Sequence, residues 1–361
     1  MNKRLMPITG LLAITGLLAI AGLLAIAGCS TADGPGPGPG ASTQARPTVL
    51  VSDFGLGLAG GWRGGPSNVD DAMALALADA SDSLDVQGVV TTFGNTIAPP
   101  QTVWATPAFL GEAGIDAAIE EGARRGLSDP AVTFDGTEVV SECKTEGVDF
   151  LAQQALAHDD LLVLGIGPLT SVACLQLTDP QAAARIGGIV SLMGVQPNTP
   201  LEINGIAVSD FNFGMDVRAV QVILEQTEIP ITFMTFEAST AATVPAATIA
   251  GLTGKPGTYF AEQAKPWVDF WTKKFSQGGI YPFDAHTVRY VTNPQDYTCA
   301  ETGVKVVVPA DYQFGSQTNN TAARLLVSPE FDSRRVSACT GFASEAAQTG
   351  FVDATVAALQ R

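Results

Sequence analysis

At 361 residues, 46% of them hydrophobic and 15% charged, the chain is long enough for one large α/β domain or two ordinary ones and can bury a sizeable core. Its formal net charge of −17 argues against nucleic acid as a partner, because phosphate binding needs basic patches.

Taken in order, the chain opens with Lys3 and Arg4 ahead of an apolar run built on a six-residue period, closing in Ile26-Ala27-Gly28-Cys29. A positive start, an apolar stretch and small residues before a cut site are the features of a secretory signal. The ending resembles the bacterial lipobox, in which the cysteine is acylated and becomes the mature N-terminus. Residues 1–28 are thus expected as a lipoprotein signal peptide and Cys29 as the lipidation site. The body would be exported and held at the cell envelope, meeting the membrane only through that lipid. The alternative is an uncleaved anchor, since the run approaches the ~20 residues a span needs. Residues 29–46 carry a Gly-Pro repeat without apolar periodicity and read as a flexible tether, so the folded domain is expected over 47–361. Four further cysteines, an even number in an exported chain, suggest disulfides. Pairing of sequence neighbours gives Cys143–Cys174 and Cys299–Cys339; the alternative is buried free thiols.

The first folded stretch, residues 48–78, organises the rest. Val49-Leu50-Val51 reads as a buried strand, and Val69-Asp70-Asp71-Ala72 opens a helix with two carboxylates in its first turn. Asp53, Asp70 and Asp71 therefore gather where a strand hands over to a helix, the edge of an open α/β sheet at which ligands bind. Three acids in one loop repel each other unless a cation offsets them, and calcium accepts such oxygen ligands. The bland alternative is that Asp70 and Asp71 only favour the helix N-terminus. Downstream, strands are expected at 84–92, 160–164, 186–193, 229–235 and 303–308, and helices at 102–113, 148–157, 217–226, 246–251 and 259–275. A short helix is expected at 284–290, a strand–helix pair over 333–359, and loops at 120–136 and 194–210. Such alternation predicts βαβ units in a single, mostly parallel (mixed) doubly wound sheet flanked by helices, an open Rossmann-like α/β architecture.

Two chemistries are disfavoured. Gly55-Leu56-Gly57-Leu58-Ala59-Gly60 matches the dinucleotide fingerprint, but Gly61 to Pro66 follow where a helix should open, and Asp53 would repel a pyrophosphate. Serine nucleophile chemistry lacks a G-x-S-x-G elbow and has only His158 and His286 as bases.

Five motifs in order carry a resemblance. Ser52-Asp53-Phe54-Gly55 with Val69-Asp70-Asp71-Ala72 is similar to the D-x-D-x-G-x-D-D-A signature of the inosine–uridine-type nucleoside hydrolases. Thr91-Thr92-Phe93-Gly94-Asn95 resembles their T-T-x-G-N, and Gly165-Ile166-Gly167-Pro168-Leu169-Thr170 their T-G-P-L-T. Asn204 with Asp210-Phe211-Asn212 resembles N-x5-E-F-N, and Phe283-Asp284-Ala285 sits where the family has H-D-P. The resemblance implies hydrolysis of the N-glycosidic bond of ribonucleosides with Ca²⁺ held by Asp53, Asp71, Asp284 and the carbonyl of Ile166. Asp53 would be the general base on water, and Asp70, Asn95, Asn204, Asp210, Asn212 and Asp284 would contact the ribose. The family is often dimeric or tetrameric, which leaves a homo-oligomer open.

The chain departs from the family in five places, two of them Val51 at the first Asp of the signature and the lack of a base-side histidine in Gly122 to Ser128. Residues 56–68 are an insertion of 13 residues that could bring Trp62 over the base. Asp210 replaces a glutamate. Phe283 stands where many members carry a histidine that protonates the leaving base, so Trp62, Phe283 and His286 are the expected contacts of the base. The rival expectation is a surface lipoprotein that binds nucleosides or pentoses but has lost catalysis.

Overall fold

The computed structural model describes residues 45–61, 65–96, 99–135, 140–316, 318 and 321–361, without the side chains of 99–101. Cys29, Trp62, the expected signal peptide and all but the last residues of the expected tether lie outside the described residues.

The first half of the fold is a run of β–α units. It comprises β1 (Arg46–Ser52), α1 (Asp70–Asp79), β2 (Leu84–Thr91), α2 (Pro99–Ala113), β3 (Ala118–Glu121), α3 (Glu146–Ala157), β4 (Leu161–Gly165), α4 (Thr170–Thr178), α5 (Pro180–Ala183) and β5 (Ile186–Leu192). A hairpin, β6 (Glu202–Ile203) and β7 (Ile206–Ala207), leads into α6 (Phe211–Met215), α7 (Val217–Gln226), β8 (Ile231–Met234) and α8 (Phe236–Ser239). Next come β9 (Val244–Pro245), α9 (Ala246–Ala250), α10 (Gly254–Phe275), β10 (Gly279–Ile280) and α11 (Ala285–Thr292). The chain closes with β11 (Tyr297–Val307), β12 (Arg324–Ser328), β13 (Arg335–Phe342) and α12 (Glu345–Leu359).

Nine strands form one sheet in the order β12-β11-β13-β8-β5-β4-β1-β2-β3. Only β11 runs against the rest, pairing antiparallel with β12 and β13. Period-two alternation builds the two cores. In β1, Leu50 faces one core while Val49 and Val51 face the other; in β4, Leu162 and Leu164 oppose Leu161 and Val163. Helices α1, α2, α10 and α12 cover the first face, and α3, α4, α5 and α7 the second. The mostly parallel, doubly wound arrangement is the expected one.

In the nine-stranded sheet two strands were not expected and a third begins earlier than expected. The stretch Ala118–Glu121, whose last two residues fall in the loop expected over 120–136, pairs with β2 at the sheet edge; its half-polar Ala-Ile-Glu-Glu is too short to show alternation. Strand β12 is a five-residue edge strand between polar segments. Strand β11 begins at Tyr297, six residues earlier than expected, because its first half is registered against β13 rather than marked by apolar residues. Both expected disulfides form, Cys143–Cys174 and Cys299–Cys339, the second joining paired strands.

The direction of winding places the site. From β1 the chain moves outward through β2 and β3, then returns to β4 on the other side of β1 and winds away through β5 and β8. The carboxyl ends of β1 and β4 therefore border the crevice where strand order reverses, the position at which open α/β sheets bind ligands.

Candidate active site

Asp53 follows the last residue of β1 and is almost completely buried. Its Oδ2 accepts the backbone N–H of Asn95 at 2.7 Å, from the loop after β2. That approach requires Gly94: with φ at +145°, a Cβ there would stand 2.1 Å from Asp53 Oδ2. Gly167, after β4, packs on the other side, its place for a Cβ lying 3.0 Å from Oδ1. Two neighbouring strand ends thus hold one carboxylate with backbone.

Asp70 and Asp71 open α1, whose capping residue Val69 has no side chain able to bond the free N–H groups. Helix α1 is buried along nearly its whole length, so its first-turn acids point into the protein rather than to water. Asp71 accepts the Ser52 hydroxyl at 2.5 Å and the Asn95 amide at 3.3 Å. Asp284 occupies the N-cap position of α11, its side chain making no cap hydrogen bond, and stands beside Asp70. Asp70, Asp71 and Asp284 offer oxygens within 4.8 Å of one another.

Burial with little compensation dominates the electrostatics. It pushes the Asp53, Asp70 and Asp284 carboxyls well above the carboxylate range, and mutual repulsion adds to it. Asp71 is raised by burial to about 7, although the Ser52 hydroxyl and Asn95 amide oppose the shift. Asp70 Oδ1 is buried without a hydrogen-bond partner. An orphan oxygen among four buried acids is a donor set fitting a hard divalent cation, which would ionise them together and satisfy that oxygen.

A cavity of about 230 Å³ opens over this cluster, lined by Asp53, Asp70, Asn95, Ile166, Asp210, Asn212 and Asp284 at its polar end. Asp210, after the β6–β7 hairpin, accepts the Gly194 N–H at 2.6 Å and is raised by burial to about 7. Asn212 donates to the Ile166 carbonyl at 3.3 Å. That carbonyl is the one expected on a metal, and Ile166 lines the cavity. Asp70, expected on the sugar, lines the cavity and also stands in the trio with Asp71 and Asp284, while Asp53 sits beside it.

Two expected residues are not brought to the cavity. Asn204 lies in the exposed β6–β7 turn, with φ at +50° followed by Gly205 at +76°, and its amide donates to the Phe275 carbonyl at 2.7 Å. Asn-Gly is the pair that a two-residue hairpin turn prefers, and here that local demand claims the asparagine. His286 follows Asp284 by two positions, roughly 200° around a helix. It is fully buried on the far side, its Nδ1 beside the Tyr297 hydroxyl at 2.9 Å and its ring 4.2 Å from that of Phe351, and burial lowers its pKa to about 3. Phe283 does line the cavity, next to Asp284. The inserted loop contributes Gly65, Pro66 and Asn68 to the lining, and its Leu56 is fully buried. The lining residues Trp267, Phe270, Trp271, Lys274 and Phe275 of α10 were missed. Their spacing of three and four was visible, but the same spacing marks an ordinary core face.

Comparison with known proteins agrees with this geometry. Residues 65–347 match the inosine-uridine preferring nucleoside hydrolase family, a span that begins inside the inserted loop, downstream of Asp53. A probable uridine nucleosidase 2 of Arabidopsis thaliana is 26% identical over 259 residues, which cover 64% of this chain and 77% of that protein. A pyrimidine-specific ribonucleoside hydrolase of Photobacterium profundum is 30% identical over 178 residues, 45% of this chain and 56% of the other. Among solved structures, a plant nucleoside hydrolase superposes with a TM-score of 0.67 at 17% identity, covering 87% of this chain and 99% of that one. A purine-preferring ribonucleoside hydrolase from Gardnerella vaginalis gives 0.66 at 16% identity with coverages of 87% and 99%. With the family match spanning most of the folded chain and the carboxylate crevice at its sheet edge, the protein belongs to the inosine-uridine preferring nucleoside hydrolases and is an N-glycosyl hydrolase.

Proposed function

We propose that the protein hydrolyses ribonucleosides to ribose and free base, with Ca²⁺ as its metal and Asp53 as the general base. The observation that carries this is the cluster of four buried acids, one with an orphan oxygen, at the sheet's switch point under a cavity that is polar at one end and aromatic at the other. Asp71, Asp284, and Asp53 or Asp70 are the residues that would hold the cation; when bound, it supplies positive charge that keeps them ionised and lowers the pKa of water.

The chain's own residues account for the remaining chemistry. Asp53, held by the Asn95 N–H, takes a proton from the attacking water. Asp70, Asn95, Asp210 and Asn212 present acceptors and amides to the sugar hydroxyls and fix its orientation. As the C1′–N bond lengthens the sugar acquires oxocarbenium character, and carboxylates around the ring stabilise that positive charge. The expected outcome is release of free base and reducing sugar from a panel of inosine, adenosine, guanosine, uridine and cytidine, abolished by chelator and restored by Ca²⁺. Nucleoside binding without turnover of any member would mean a binding protein on this scaffold instead.

The positive start, apolar run and Ile26-Ala27-Gly28-Cys29 ending support export and lipid anchoring at Cys29. Cys29→Ser is expected to move the protein from the membrane fraction to the soluble fraction; unchanged membrane association would argue for an uncleaved anchor.

A further inference from the structure

The cavity is divided by chemistry. Its acids and amides lie at the sheet edge, and its aromatic rings come from α10 and Phe283. On α10, Phe270, Trp271, Lys274 and Phe275 lie three, four, seven and eight residues beyond Trp267, so they share a helix face. Trp271 meets Phe283 edge-on, with centroids 5.8 Å apart and planes at 76°. A nucleoside has the same division, a polyhydroxylated sugar joined to a flat, weakly polar base. With ribose over the carboxylates, the base lies against α10.

N-glycosidic cleavage leaves the bonding electron pair on the base, which departs readily only when a proton or a positive charge meets it. The sequence holds two histidines. His286 is buried against Tyr297 and Phe351, and His158 ends α3 away from the cavity. Arg124 is bound to Glu121. Among the described residues, Lys274 is the cationic side chain that lines the cavity. Its Nζ lies 4.9 Å from the ring centroid of Phe275 and 5.4 Å from that of Phe270. Rings of this kind hold an ammonium along the aromatic wall. No described carboxylate forms an ion pair with it.

Resting on the hydrolase reading above, we propose that Lys274 is the group that protonates the departing base. The C1′–N bond breaks and its electron pair goes to the base nitrogen system, which takes a proton from the Lys274 ammonium. Water adds its oxygen to C1′ and gives a proton to Asp53. Solvent then returns a proton to Lys274 and removes one from Asp53, so the net reaction is nucleoside plus water to ribose plus neutral base.

The test compares two leaving groups, a natural base and 4-nitrophenolate, which departs without protonation. For Lys274→Met, the ratio of kcat/KM for the best nucleoside of the panel to that for 4-nitrophenyl β-D-ribofuranoside is expected to fall by about 10²-fold or more. Lys274→Arg, which keeps the charge but does not release a proton, is expected to leave the ratio as low as Lys274→Met does. An unchanged ratio, whether both rates fall together or neither falls, overturns the assignment. A wild-type protein that cleaves the nitrophenyl riboside but no nucleoside also overturns it. Turnover of neither substrate by wild type overturns the hydrolase reading itself, and Lys274's role with it.

Discussion

Asp53→Asn is expected to lower kcat on the best nucleoside by about 10²–10⁴-fold, the range that a positioned general base supplies. The isosteric amide can still accept the Asn95 N–H, and it fits between Gly94 and Gly167, so the fold should be kept. Because burial and the neighbouring Asp71 make the charged form of Asp53 costly, the neutral side chain is expected to leave the metal-free Tm unchanged or higher. Loss of rate with an intact Tm is therefore the signature of a catalytic role. Activity within fivefold of wild type would remove Asp53 from the mechanism.

Removing the metal is expected to make stability depend on pH in an unusual direction. Asp71 and Asp210 have folded-state pKa values raised to about 7, against about 3.9 for an unfolded aspartate. The folded chain therefore binds more protons than the unfolded chain between these values. The stability these groups contribute is fully present below the unfolded pKa and is lost as pH rises through 7. In chelator, Tm is expected to fall from pH 5 to pH 8. Adding Ca²⁺ should reverse the loss, and more strongly at pH 8 than at pH 5, because coordination displaces the protons that the acids hold in the metal-free state. At a free concentration of 100 times Kd the gain is about 2.7 kcal/mol. Thermal unfolding at the two pH values, with and without Ca²⁺, measures both effects. A Tm that ignores Ca²⁺ at pH 8 would rule out the acid cluster as its site.

The chain determined by itself whatever depends on neighbours in sequence. Val49-Leu50-Val51 running into Asp53, and Asp70-Asp71 opening an apolar helix, are legible because strand burial and first-turn position follow from local pattern. The same holds for Asn95 at the end of β2, and pairing of sequence-neighbouring cysteines gave both disulfides. Tertiary structure decided the rest. Asn204 matched a motif by spacing, yet an Asn-Gly turn placed it on the surface. His286 is close to Asp284 in sequence, but helix geometry turns it into the core behind the site. The grouping of Asp284 with Asp70 and Asp71 arises only because α11 brings its N-terminal acid against α1. Trp267, Trp271 and Lys274 come from a helix about 200 residues beyond Asp53, and in sequence their face cannot be told from a buried one. A cavity wall is distinguished from a core only by what packs opposite it, and that depends on contacts between segments far apart in the chain.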